Sequence, residues 1–242
     1  APASRQPAAT VRPPPLPAQR HAAESSLQRS FDQYDEPRAA AIALTRDTDG
    51  DGTTDIYGLV QRGIPGFEIV QDFGRILFSN GGAILNADGS ACAITEPAGV
   101  SAIQLWADLF QGGYMPPDLF AIGRDEQIRQ VQTGRASMGI YFSPYYGTLL
   151  QELPAEQVGW AVSPTAEGVE PGRSLNTLWS LAIDGNIDHW LIATAASSFT
   201  PSHPRFPEMA DAMSIELTAA IAGRKTAEAA AQAMCRQIDG LL

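Results

Sequence analysis

Gly134-Arg-Ala-Ser-Met-Gly-Ile-Tyr-Phe-Ser-Pro-Tyr145 is the stretch on which the fold turns. Ala136–Phe142 is an almost unbroken apolar run of seven residues. A run of that length with so few polar positions reads as a strand covered on both faces. Gly134 closes the element before it, and Ser143-Pro144 ends it. That preceding element, Asp125–Thr133, reads as a helix burying Ile128 and Val131. A covered strand beside a helix points to a sheet flanked by helices.

The rest of the chain extends this pattern. Downstream, Val158–Val162 and Trp179–Ile183 read as two more short strands. Pro207 opens a helix that runs to about Ala222 and stops at Gly223. A last helix from Thr226 to about Asp239 sets Ala227, Ala230, Ala231, Met234, Ile238 and Leu241 on one stripe, which predicts docking on the core. Upstream, Thr95 caps a helix with Pro97 in its first turn. Val100, Ile103, Trp106 and Phe110 recur along it at helical spacing, placing Trp106 in the core. Ile84–Leu85 and Cys92–Ile94 flank Asn86-Ala-Asp-Gly89, a hairpin signature. Phe73–Phe78 predicts a helix ending at Asn80-Gly81-Gly82, and Ile56–Val60 a short strand. Asp35–Thr45 reads as a helix with Pro37 in its first turn and Ala39, Ile42 and Ala43 facing inward. Ala1 to about Gln33 is rich in Pro, Ala and Arg, lacks apolar periodicity, and is expected to be disordered or poorly packed. Strands mixed with helices of this length define an α/β class.

Composition narrows the function. The 242 residues are 44% hydrophobic, enough for an ordinary core, and carry a net charge of −11. Six arginines stand against four acids before position 47, and ten basic residues against 23 acids after it. Such a surface repels phosphate backbones and excludes nucleic acid as a partner. No apolar run approaches the roughly 18 residues that span a bilayer. Cys92 and Cys235 are the two cysteines. Without a CxxC or a Cys/His cluster they exclude a zinc site, and their pairing stays open at this level. Ala1 to Arg20 holds three Arg and six Pro and no apolar signal-peptide core.

The sharpest local signal is Asp47-Thr-Asp-Gly-Asp-Gly-Thr-Thr-Asp55. Asp47, Asp49, Asp51, Gly52, Thr53 and Asp55 match positions 1, 3, 5, 6, 7 and 9 of an EF-hand-type calcium loop. Clustered carboxylates repel one another unless a cation sits among them, so Ca2+ is the cofactor this loop would take. Position 12 of the pattern is Gly58 rather than the bidentate glutamate, which excludes a full EF-hand. The competing reading is a solvated Asp/Gly turn. Catalytic motifs are absent from the sequence: His21, His189 and His203 form no HExxH, and there is no GxSxG elbow. Gly223-Arg-Lys-Thr226 lacks the upstream glycine of a phosphate loop and reads as a helix stop.

Taken in order, these segments resemble the extracellular solute-binding proteins of carbohydrate ABC importers, the maltose-binding-protein-like family. The matching stretches include Tyr34 through Thr45, the Asp47–Asp55 loop leading to Tyr57-Gly58, and Asn80-Gly-Gly82 with Asn86-Ala-Asp-Gly89. Glu96 through Trp106, Gly134 through Gly139 and Ser143-Pro-Tyr145 follow, then Trp179 through Ile183 and Arg205 through Leu242. The resemblance implies a two-lobed, class II periplasmic-binding-protein-like fold that closes on its ligand by hinge motion. It also implies a mono- or oligosaccharide ligand, ABC permease subunits as membrane partners, a monomer, and a periplasmic or extracellular, membrane-associated location.

The family places a whole first lobe before the Tyr34 stretch, and a block of helices between the Ile183 and Arg205 segments. This chain has 33 and 21 residues there. It is therefore read as a second lobe with a fragment of the first: an atypical arm at 1–33 and a second-lobe domain at 34–173. A hinge crossing with first-lobe remnant follows at 174–204, and C-terminal helices at 205–242. Half the ligand contacts would then be missing, and the expected affinity is weaker than about millimolar, roughly −4 kcal/mol.

Sugar recognition needs an aromatic face for the pyranose C–H surface and polar groups for the hydroxyls. The resemblance points to Tyr145, after the Ser-Pro pair at the end of the covered strand, and to Trp179 at the crossing between lobes. Tyr146, Asn80, Phe73 and Met213 complete the candidate set. No catalytic residues are expected. The other readings are a calcium-dependent carbohydrate-active enzyme and a non-transport interaction module derived from a binding protein.

Overall fold

The computed structural model describes residues 7–11, 35–142, 144–162, 165–166, 168–169 and 203–242. One four-stranded sheet organises it: β1 (Pro7–Val11), β2 (Tyr57–Val60), β3 (Ala136–Ile140) and β4 (Val158–Val162), in the order β2-β3-β1-β4. β2 and β3 are parallel, with Leu59 opposite Met138. β1 is antiparallel to both of its neighbours, Ala9 facing Gly139 on one side and Trp160 on the other. The N-terminal arm, expected to be unpacked, thus supplies a strand. Pro7 stands at its first position, where a missing N–H disturbs the ladder least, and ladder pairing through main-chain groups leaves little compositional trace.

The helices are α1 (Asp35–Leu44), α2 (Phe67–Ser79), α3 (Pro97–Gln111), α4 (Arg124–Gln132), α5 (Tyr145–Glu152), α6 (Phe206–Ile221) and α7 (Ala227–Asp239). A parallel strand pair needs a crossover, and the link from β2 to β3 carries α2, α3 and α4. Two apolar clusters result. The larger packs α2, α3, α6 and α7 together and includes Phe73, Trp106, Met213, Leu217 and Met234. The smaller, beside the sheet, holds Val60, Ile122, Ile128, Val131, Tyr141 and Leu149.

Several expectations hold in detail. Trp106 is fully buried. The α7 stripe of Ala227, Ala230, Ala231, Met234 and Ile238 faces the core, and Thr226 caps the helix by accepting from the Ala229 nitrogen at 3.2 Å. Others shift. In α1 the inward residues are Ala40, Ala41 and Leu44, while Ile42 is 41% exposed. The reason is close approach: a Cβ on Gly58 would stand 1.8 Å from the Ala41 carbonyl oxygen, so the face of α1 on β2 is its alanine face. The expected hairpin reduces to one bridge between Leu85 and Cys92 around the Asn86–Gly89 turn. β3 ends at Ile140, so Tyr141 and Phe142 leave the sheet instead of extending it. Cys92 and Cys235 form a disulfide, Cα atoms 5.0 Å apart across 143 positions, which ties this turn to α7. Trp179 and the strand expected at Trp179–Ile183 lie outside the described residues. No helix among the described residues is long and apolar enough to cross a membrane.

Candidate functional site

β2 and β3 run parallel and end at one edge of the sheet, the edge at which α/β folds place ligand-binding loops. The chain leaves β2 through Gln61 and Arg62, and β3 through Tyr141 and Phe142. Gln127 of α4 ties the two exits together. Its Nε2 donates to the Val60 carbonyl at 3.2 Å and to the Ile140 carbonyl at 3.3 Å. Tyr141 Oη donates back to the Gln127 carbonyl at 3.0 Å, and burial holds that phenol above its ordinary range.

Below the edge sits a buried ion cluster. Asp72 of α2 is fully buried and accepts from the Arg62 main-chain nitrogen and Nε, both at 2.9 Å, and from Arg75 Nη2. Arg75 Nη1 donates to the Ile140 carbonyl at 2.7 Å. Burial pulls the Arg75 guanidinium below its ordinary value, and Asp72 opposes that pull. Both guanidiniums lie against the Phe142 ring, Arg75 at 4.2 Å and Arg62 at 5.4 Å from its centroid. Glu68 Oε2 stands 3.8 Å from Arg62 Nη1.

Tyr145 sits on top of this arrangement, half-buried, as the first residue of α5. Pro144 is already in helical geometry, and the Tyr145 nitrogen donates to the Phe142 carbonyl at 2.9 Å, so the turn that delivers the ring is short. Phe142 and Tyr141 meet Tyr145 edge-on, with centroids 6.0 and 6.3 Å away. Tyr146 beside it is also half-buried.

The remaining candidates separate cleanly. Phe73 and Met213 are fully buried in the larger core, because both lie on inward faces of helices packed against each other, so the structure gives them packing roles. Asn80 caps the carboxyl end of α2, about 20 Å along the helix from Phe67. Its Nδ2 donates to the Ala98 carbonyl at 2.7 Å and to Ser101 Oγ at 2.5 Å, so its amide is committed to holding α3. Phe67 was missed. It opens α2 just past the β2 exit, is 51% exposed, and meets Phe206 edge-on at 6.4 Å. The turn carrying it is fixed to α6 by the Gly66 nitrogen donating to Ser214 Oγ at 2.7 Å. The signal was there in Ile64-Pro65-Gly66-Phe67, a breaker pair just after a strand.

The Asp47–Asp55 loop lies at the opposite, amino-terminal end of β2, its neck closed by pairing between Arg46 and Ile56. Asp47, Asp49 and Asp55 bring carboxylate oxygens within 4.8 Å of one another, whereas Asp51 stays outside that trio. Asp51 instead accepts from the Thr53 nitrogen at 2.7 Å. Gly52 and Gly50 donate to the two Asp47 oxygens at 2.8 and 2.7 Å and hold its carboxyl below the usual range. The Thr48 hydroxyl and main chain do the same for Asp55. Gly52, at φ 89°, supplies the left-handed turn that aims these donors inward.

This architecture is that of solute-binding proteins. A solute-binding protein of an ABC transporter from Agrobacterium radiobacter K84, solved with ribitol, superposes with a TM-score of 0.75 at 19% identity, over 98% of this chain and 69% of that one. One from Thermotoga lettingae TMO, bound with alpha-D-tagatose, gives 0.74 at 15% identity, over 98% and 71%. Maltose-bound MalE3 of T. maritima gives 0.73 at 19% identity, over 98% and 71%. No protein-family model and no curated protein sequence matches the chain. The chain therefore has the α/β, periplasmic-binding-protein-like fold of the MalE-type sugar-binding proteins of ABC transporters, established by structure rather than by sequence identity.

Proposed function

We propose that this protein is a carbohydrate-binding subunit of an ABC importer, taking a mono- or oligosaccharide against Tyr145 without chemistry on it. One observation carries the reading: a half-exposed tyrosine stands at the shared carboxyl edge of two parallel strands, braced by a second ring and a buried ion cluster. The solved relatives in this fold hold ribitol, tagatose and maltose, which supports a polyol or sugar ligand. Residues 34–173 act as the second lobe, and a permease in the membrane is the partner. An extracytoplasmic location suits the Cys92–Cys235 disulfide, because such bonds persist in oxidising compartments. The test is thermal unfolding with ribitol, tagatose and maltose at tens of millimolar. A ligand that binds only the folded state raises Tm by mass action. Failure of every sugar to do so, or turnover of a chromogenic glycoside, would sink the reading.

We also propose that the Asp47 loop takes Ca2+. Calcium is a hard cation that prefers several oxygen ligands, and Asp47, Asp49 and Asp55 offer three converging carboxylates. Thr53 stands at the main-chain carbonyl position of the matching motif. The ion would offset repulsion among the carboxylates and brace the entry to β2, distant from the sugar edge.

A further inference from the structure

We propose that Arg75 is the positioning residue of the Phe142–Tyr145 aromatic pair, acting through the face of its guanidinium rather than through its charge. The role rests on Tyr145 being the ligand-facing ring. Three things Arg75 does are visible, and two of them are duplicated. Its charge is not needed to neutralise Asp72, because Arg62 already gives that carboxylate a main-chain N–H, an Nε and an Nη2. Its hydrogen bond to the Ile140 carbonyl is seconded by Gln127 Nε2. Its Nε has no hydrogen-bond partner among the described residues, so the group is not placed where it is for complete pairing.

What Arg75 supplies more closely than any other described residue is the contact with Phe142. Arg75 lies 4.2 Å from that ring's centroid, against 5.4 Å for Arg62. A planar guanidinium can stack on an aromatic face in a way that the compact ammonium of a lysine cannot. Phe142 in turn meets Tyr145 at an interplanar angle of 87°. The path Asp72, Arg75, Phe142, Tyr145 therefore runs from the fully buried wall of α2 to the half-exposed ring. Burying a cation is costly even when it is paired, and a fold that needed only stability there would do as well with an apolar side chain.

The test labels the protein with 3-fluorotyrosine and follows the 19F signal of Tyr145, assigned by its loss in Tyr145→Phe. Tyr57 and Tyr114, which lie outside this path, serve as internal controls. Arg75→Met should move the Tyr145 signal more than half-way toward its position in urea-unfolded protein while the controls stay. Arg75→Lys keeps the charge and a donor but has no plane to stack, and should behave like Arg75→Met. Phe142→Leu, which leaves the ion cluster intact, should move the Tyr145 signal in the same way. A Tyr145 signal unmoved in Arg75→Met overturns the proposal, as does its restoration by lysine. Joint movement of every tyrosine signal in Arg75→Met also overturns it, by making Arg75 a fold-holding residue. None of these readouts involves a sugar. Should they come out as expected in a protein that binds no carbohydrate, the function proposed above fails and the role of Arg75 stands.

Discussion

Asp72 holds Arg62 by main chain and side chain together: Oδ2 accepts from the Arg62 nitrogen and Oδ1 from its Nε, each at 2.9 Å. That double grip fixes the β2 exit to α2, ten positions further along the chain. It also makes Asp72 the hinge pin of the cluster, because Arg75 leans on the same Oδ1.

From this follows the first prediction. Asp72→Asn leaves Arg75 buried without a carboxylate and Arg62 with only Glu68 at 3.8 Å, and removing one partner of a buried pair costs about 3–5 kcal/mol. Urea unfolding should show a midpoint well below that of the parent. Arg75→Met, by contrast, leaves a matched Asp72–Arg62 pair and should change stability by much less. Equal losses in the two variants would contradict the asymmetry argued here.

Reduction of the disulfide is the second. Cys92 and Cys235 close a loop of 143 positions, and closing so long a loop removes much entropy from the unfolded chain. Cys92→Ser or Cys235→Ser should destabilise by about 2–4 kcal/mol. Dithiothreitol should lower the Tm of the parent and leave that of either variant unchanged.

Much of this architecture is legible in the sequence, and the parts that are not have identifiable causes. The α3 and α7 stripes were readable because a helix buried on one side must repeat its apolar residues every three or four positions. β3 was readable because a strand covered on both faces has no room for polar side chains. The inner face of α1 was not, since alanine carries almost no directional signal and the decision rests on Gly58, thirteen positions beyond Thr45. β1 was hidden because its role is in its main-chain groups. The place of Tyr145 just past β3 was legible in the strand-then-Ser-Pro context. Arg62, Asp72 and Arg75 were passed over because charged residues ordinarily face water, and only the assembled sheet edge shows them buried. The burial of Phe73 and Met213 was not legible for the converse reason: sequence does not distinguish an apolar side chain that lines a groove from one that fills a core.

Gly58 gives the third prediction. A methyl group there would stand 1.8 Å from the Ala41 oxygen and 2.5 Å from its carbon, both main-chain atoms that cannot swing aside. Gly58→Ala must therefore push α1 off β2. Overpacking of this kind costs about 1–3 kcal/mol or more, measurable as a fall in Tm with the sheet otherwise intact by circular dichroism. Tolerance of alanine without loss would show that α1 does not rest on β2 as described.

For the acidic loop, millimolar CaCl2 should raise the Tm of the parent, whereas the same concentration of NaCl should not. Asp49→Asn removes one of the converging carboxylates and should weaken the response. Asp51→Asn should weaken it less, since Asp51 lies outside the trio. Calorimetric titration with Ca2+ checks both. An identical response in the two variants, or none in the parent, would return the loop to the status of a solvated turn.

The last prediction separates the aromatic residues from one another. Tyr145→Ala removes a ring that is only half-buried, so the protein should keep most of its Tm. Its affinity for whichever sugar stabilises the parent should fall about tenfold or more, a difference of roughly 1.4 kcal/mol. Phe73→Ala should do the reverse: it opens a void in the core costing about 3–5 kcal/mol, yet where the protein remains folded its affinity should be close to the parent's. Phe67, exposed at the start of α2 and paired with Phe206, lies between these cases. Phe67→Ala should leave Tm nearly unchanged, and a drop in affinity would extend the ligand surface from the β3 exit to the β2 exit. If Tyr145→Ala and Phe73→Ala cost the same in affinity, the sugar does not rest on Tyr145, and the carboxyl edge of β2 and β3 is not where it binds.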